Sequence, residues 1–143
     1  MTVLTVKIEK IIHAPLEKVF DAWLDKEMLS KFMVPCQQGV RESDVETDAR
    51  EGGGFTIIMH VGDADIAHTG KYLEISRPDR LVFTWASRYS VAENSTVTLN
   101  FTKVDDKTTK ISLSHVRFID EEARAAHEGG WRDILDKLNE VMN

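Results

Sequence analysis

The chain has 143 residues, 42% hydrophobic and 29% charged, with 18 Lys+Arg against 24 Asp+Glu. That length suits one domain with a sizeable core, and the apolar content excludes wholesale disorder. The net charge of −6, with no basic run or stripe, excludes a nucleic-acid binder, and no apolar stretch approaches the ~20 residues of a membrane span.

A single cysteine, Cys36, excludes an internal disulfide framework and fits a reducing compartment. The N-terminal stretch Met1 to Lys7 alternates and lacks the charged-then-apolar order of a signal peptide. The expectation is one cytoplasmic domain over residues 1–143.

In chain order, Val3 to His13 alternates as a strand, with Leu4, Val6, Ile8 and Ile12 on one face. Ala14-Pro15 breaks it, and proline suits the start of a helix. Leu16, Val19, Phe20, Trp23 and Leu24 then repeat at helical spacing, and a second short helix is predicted over Lys26 to Met33, stopped by Pro35. Val40 to Ala49 is a weaker, acid-rich strand expected at a sheet edge or partly exposed. After the turn Gly52-Gly53-Gly54 come strands marked by Phe55, Ile57, Met59 and Val61, by Ile66 to Ile75, and by Leu81, Phe83 and Trp85. A polar loop from Tyr89 to Asn94 leads to Val97, Leu99 and Phe101, and a hairpin at Asp105-Asp106-Lys107 leads to Ile111, Leu113 and His115.

The last stretch changes period. From His127 to Asn143, the residues His127, Gly130, Trp131, Ile134, Leu135, Leu138, Val141 and Met142 form a one-sided helical stripe. Glu128–Arg132 and Asp133–Lys137 are spaced as supporting i,i+4 pairs. Antiparallel strands followed by one long amphipathic helix must bury that stripe against one sheet face, and a curved sheet around a helix leaves room for a cavity. Gly129-Gly130 within the helical pattern predicts either a close helix–sheet approach or a hinge.

Turns centred near Ala64 and Pro78 would set Val61 opposite Ala67, Leu73 opposite Phe83 and Ile75 opposite Leu81. The apolar face then carries Phe55, Ile57, Met59, Val61, Leu73, Ile75, Leu81, Phe83 and Trp85, with the polar Thr69, Lys71 and His115 on the same side. Thr56, His60, His68, Glu74, Thr84 and Arg88 fall on the other face. His60 and His68 would sit across the hairpin from one another with no third ligand nearby, so neither a metal nor another cofactor is expected. His127-Glu128-Gly129-Gly130-Trp131 lacks the second histidine of a zinc-protease helix. Cys36 reads as a small buried hydrophobe.

Four segments carry a family resemblance: His13-Ala-Pro-Leu-Glu-Lys-Val-Phe-Asp-Ala-Trp23, Gly52-Gly-Gly-Phe55, Gly70-Lys-Tyr-Leu-Glu-Ile-Ser-Arg-Pro-Asp-Arg-Leu-Val-Phe-Thr-Trp85, and Gly130-Trp131 with Leu135 and Leu138. In order and spacing, the chain resembles the activator-of-heat-shock-protein-ATPase-like branch of the START and birch-pollen-allergen superfamily. The resemblance implies an α+β helix-grip fold: a curved antiparallel sheet of six or seven strands around the C-terminal helix, with two short helices after the first strand. It also implies a hydrophobic cavity, whose expected lining is Phe32, Met33, Phe55, Ile57, Met59, Lys71, Phe83, Trp85, Phe101, His115, Trp131 and Leu135. Three functions fit: binding of a small hydrophobic or amphipathic molecule, a co-chaperone-like protein-interaction module, or a cyclase- or hydrolase-type enzyme. The last would use His115 as acid or base, with Lys71, Thr69 or Tyr72 as its second polar group.

Overall fold

The structure is a computed structural model that describes residues 4–34, 41–61, 63–87, 95–118 and 120–142. Pro35, Cys36, Arg88 and the Tyr89–Asn94 loop lie outside the described residues. The elements run β1 (Thr5–Ile12), α1 (Leu16–Ala22), α2 (Lys26–Phe32), β2 (Asp44–Thr47), β3 (Gly54–Val61), β4 (Ala64–Ser76), β5 (Arg80–Thr84), β6 (Thr96–Asp105), β7 (Thr108–Val116) and α3 (Glu121–Met142). The strands form one seven-stranded sheet in the order β1-β7-β6-β5-β4-β3-β2, antiparallel throughout. With α3 laid along it, this is the helix-grip arrangement, and the acid-rich β2 is an edge strand as its composition suggested.

Local chemistry explains the helix starts. Pro15 is the N-cap of α1 in extended conformation (φ −63°, ψ 149°). The Asp25 carboxylate accepts the Glu27 backbone N–H at 2.9 Å and caps α2. The Asp120 carboxylate accepts the Ala123 N–H at 2.8 Å, and Glu121 and Glu122 occupy the first turn of α3. The helix therefore begins six residues before His127, where the sequence stripe was first visible. Its buried residues are Ala123, Trp131, Ile134, Leu135 and Leu138. Glu128 bridges Arg124 at 2.8 Å and Arg132 at 3.6 Å, whereas Lys137 pairs with Glu140 at 3.4 Å rather than with Asp133.

α3 packs on β1 and α2. Two polar contacts fix its far end: Lys10 Nζ meets the Asp136 carboxylate at 2.6 Å, and the His13 backbone N–H donates to Asn139 Oδ1 at 2.9 Å. The core beneath joins Phe20, Trp23, Phe32, Leu81, Leu99, Ile111, Leu113, Leu135 and Leu138 into one cluster.

The β3–β4 register differs from the expected one. Val61 stands opposite Ala64, not Ala67. A three-residue shift is odd, so it exchanges the two faces of β4. Ile66, His68, Gly70 and Tyr72 point to the helix side, while Thr69 and Lys71 are exposed on the outer side. Lys71 therefore lies outside any interior space, contrary to the parity expectation.

Farther along β4 the pairing shifts between Tyr72 and Glu74, so Tyr72 rather than Leu73 faces Phe83. This bulge leaves Leu73 50% exposed and restores Ile75 opposite Leu81 as expected. Gly70 faces Phe55, and a Cβ there would collide with the Phe55 ring and the Thr84 carbonyl. The aromatic ring covers the glycine and fills the volume that a side chain would take.

Leu138 is fully buried under the helix stripe. Leu138→Asp should destabilise the fold by several kcal/mol, on the order of 3–5, because an unpaired carboxylate replaces a core side chain. Thermal unfolding checks this, and an unchanged midpoint would mean the stripe does not hold the helix down.

Candidate functional site

A recess of about 190 Å³ lies between α3 and the sheet. Met59 of β3, His68 of β4 and Trp85 after β5 form one wall; His127, Gly130, Trp131 and Ile134 of α3 form the other. Aromatic rings dominate it. Trp85 lies 4.9 Å from Trp131 (centroids, planes at 52°) and 5.0 Å from His68 (34°). Trp85 Nε1 and His68 Nδ1 are both enclosed by protein, with essentially no surface open to the recess. Among the described residues, no Asp, Glu, Lys or Arg side chain lines the recess.

The glycine pair acts differently from either expectation. The helix runs unbroken from Glu121 to Met142, so it has no hinge there. A Cβ built on Gly130 meets nothing within 4 Å, so there is no close approach either. Gly130 leaves space open at the rim of the recess.

The expected lining residues separate into five groups. Met59, Trp85 and Trp131 border the recess. Met33, Phe55, Ile57 and Phe83, again with Trp85, surround a second void of only about 10 Å³, the space of a single water. Phe32, Phe101 and Leu135 are packed into the core, and Lys71 is on the outer surface. His115 is buried behind Trp131 rather than on the recess wall.

Hydrogen bonding defines the state of His115. The Trp131 indole, a donor only, gives its N–H to His115 Nδ1 at 2.9 Å. Nδ1 is therefore the acceptor, and Nε2 carries the proton toward Ser95 Oγ at 2.6 Å. Protonating Nδ1 would set two donors against each other. Burial, reinforced by the nearby His127, pushes the His115 pKa down to about 3. With both nitrogens occupied and the ring held neutral, His115 positions Trp131 and is not poised as an acid or base.

His68 and His60 are not opposite one another: His68 faces Ile57, and His60 faces Asp65. Burial lowers the His68 pKa, with backbone groups of Ile57 and Ile66 opposing the shift. His60 lies on the outer side of the sheet, with Nδ1 2.6 Å from Asp65 and Nε2 3.1 Å from Asp44. It ties the edge strand β2 to the β3–β4 hairpin. Among the described residues, no group of three His, Cys, Asp or Glu side chains is arranged to hold a metal.

The sequence expectation missed His68, Ser87, Ala126, His127, Gly130 and Ile134 as recess residues. Gly62-Asp63 as a two-residue hairpin turn was the available signal for His68. The α3 residues were already on the helix stripe, but nothing in one-dimensional periodicity separates the part of a stripe that seals a core from the part that borders open space.

The neutral His115 makes stability depend on pH. Its folded pKa of about 3 is below the ordinary value of 6.5, so unfolding takes up a proton between those values. The contribution is present above about pH 6.5 and declines as pH falls toward 3, by up to ~1.4 kcal/mol per pH unit. Urea midpoints at pH 7 and pH 5 should differ less in His115→Gln than in the wild type. Equal differences would mean that His115 is not held neutral.

Comparisons with known proteins agree with this architecture. An HSP90 activator from Plasmodium falciparum is 24% identical and superimposes with a TM-score of 0.77, covering 96% of this chain and 95% of that one. An uncharacterised protein from Rhizobium leguminosarum is 23% identical (TM-score 0.80; 99% and 95% covered). CalU16 from Micromonospora echinospora is 22% identical (TM-score 0.73; 99% and 77% covered). At these identities the likeness shows the fold. A search of curated protein sequences gives no match. Residues 13–143 match the family described as Activator of Hsp90 ATPase homolog 1-like protein, and the chain belongs to that family.

Proposed function

We propose that the protein binds a small hydrophobic or amphipathic molecule, without converting it, in the recess between α3 and the sheet. The observation that carries this reading is the recess of about 190 Å³ walled by Met59, Trp85, Trp131 and Ile134. An apolar cavity of about 150 Å³ is enough to take up benzene. The fully bonded, neutral His115 supports binding rather than turnover. The single Cys36 fits action in a reducing cytoplasm.

A second reading, a protein-interaction module, draws support from the family description and from the HSP90 activator of similar fold. Among the described residues, the large exposed apolar side chains are Ile11, Leu73 and Val104, one on each of three strands. Such scattered residues are ordinary surface and give this reading less support than the recess gives the first.

A neutral, environment-sensitive naphthalene dye should bind the native protein saturably and change its tryptophan fluorescence. Gly130→Leu should abolish dye binding with near-native or slightly raised thermal stability, since the side chain enters open space and leucine favours the helix by up to ~1 kcal/mol. A wild-type protein that binds no apolar probe would overturn ligand binding and put the interaction module first.

A further inference from the structure

Among the described residues, the recess wall carries few polar side chains, and most are already committed. Trp85 Nε1 and His68 Nδ1 are enclosed by protein, and the His68 ring is engaged with backbone groups of Ile57 and Ile66. Trp131 gives its indole N–H to the buried His115, and Ser87 already has a partner. The backbone groups that α3 adds to the wall are paired along the helix. His127 is the polar side chain that remains.

Its ring is half-buried and firmly placed. It meets His115 edge-on at 5.3 Å (87°) and Phe118 at 5.1 Å. Nδ1 lies 2.8 Å from the Ala123 carbonyl oxygen, one helical turn back. A carbonyl only accepts, so Nδ1 carries the proton and donates. In the uncharged ring Nε2 is then left with a lone pair and no hydrogen, directed away from that carbonyl. Nε2 is not among the enclosed, unpartnered nitrogens. The recess therefore offers its occupant an acceptor and no matching side-chain donor.

Resting on the ligand-binding reading above, we propose that His127 sets the polarity of the recess, accepting through Nε2 a hydrogen bond from a compact, uncharged molecule that carries a hydroxyl or N–H group on an apolar body. An ether or a carboxylate brings oxygen lone pairs and no hydrogen, and so opposes the Nε2 lone pair. An ammonium group can donate, but it would lose its hydration beside a lining without carboxylates. The volume of about 190 Å³ admits one ring with substituents or two fused rings.

Four probes of similar size separate donor from acceptor: 1-naphthol, 1-methoxynaphthalene, naphthalene and 1-naphthoate. The full chain is titrated at pH 8, above the ordinary histidine value of about 6.5, and dissociation constants come from the shifts of its backbone amide resonances. The expected order places 1-naphthol about five- to tenfold tighter than both naphthalene and 1-methoxynaphthalene, the ratio that one net hydrogen bond confers. Naphthoate should bind most weakly. His127→Phe, which keeps a ring against His115 and Phe118, should erase the advantage of naphthol while naphthalene still binds.

A wild-type measurement keeps the test independent of whether that variant folds. In protein labelled with ¹⁵N at its histidines, the free state should show His127 with Nδ1 protonated and Nε2 bare. The Nε2 resonance should then move upfield on adding 1-naphthol and not on adding 1-methoxynaphthalene. A protonated Nε2 in the free protein, an unmoved Nε2 resonance, equal affinities for naphthol and methoxynaphthalene, or preferred binding of naphthoate would each overturn the inference and leave recess binding intact. Failure of all four probes to bind would overturn both.

Discussion

The fold depends on covering one apolar sheet face with helices, the long terminal one above all. The stripe Ala123, Trp131, Ile134, Leu135 and Leu138 is buried as α3 packs on β1 and α2, and α1 and α2 cover more of the inner sheet face, as where Phe20 meets Phe101. Fully burying each large side chain contributes roughly 1.5–3 kcal/mol, so the helix and sheet are mutually required. The contact is not uniform. Leu135 and Leu138 join the core, while Trp131 and Ile134, one turn earlier, border open space. Trp131 belongs to both regions: one edge bonds the buried His115, and its ring meets Trp85 at 4.9 Å. The bond to His115 adds a directional constraint to an aromatic wall already packed in place.

Much of this architecture was legible in the residues. Element order, the edge position of β2, the long terminal helix and the burial of Phe55, Ile57, Met59, Phe83 and Trp85 all follow from periodicity, because a period of two or of 3.6 is imposed by the backbone itself. Two features escaped it. The true length of α3 was hidden because its first turns carry Glu121, Glu122 and Arg124, and the start depends on the Asp120 cap rather than on apolar spacing. The face of β4 was reversed because parity counts outward from a turn, and an odd error in the turn propagates to every residue. It misassigned His68 and Lys71 together, and the bulge before Glu74 then concealed the mistake by restoring Ile75.

The site residues divide along the same line. Apolar identity announced which residues are inside. It did not announce which interior residues touch empty volume, since that depends on the difference between neighbouring side-chain sizes in three dimensions. Phe101 and Trp131 look alike in the sequence, yet one packs against Phe20 at 5.1 Å and the other borders the recess. Gly130 contributes by what it lacks, and periodicity reads it as a defect in a helix.

An open recess in a marginally stable domain raises the question of how the sheet avoids recruiting further strands. The β2 edge answers it. Val45 and Ser43 turn inward, while Glu42, Asp44, Glu46 and Asp48 are all exposed along a strand of four residues and its flanks. A second chain attempting to extend the sheet at this edge would bring the same acidic row against it, and repulsion would act before any ladder bond could form. His60 holds Asp44 in that row from behind. This local acidic row guards against edge-to-edge aggregation, and among the described residues no Asp, Glu, Lys or Arg lines the aromatic recess on the helix side of the sheet.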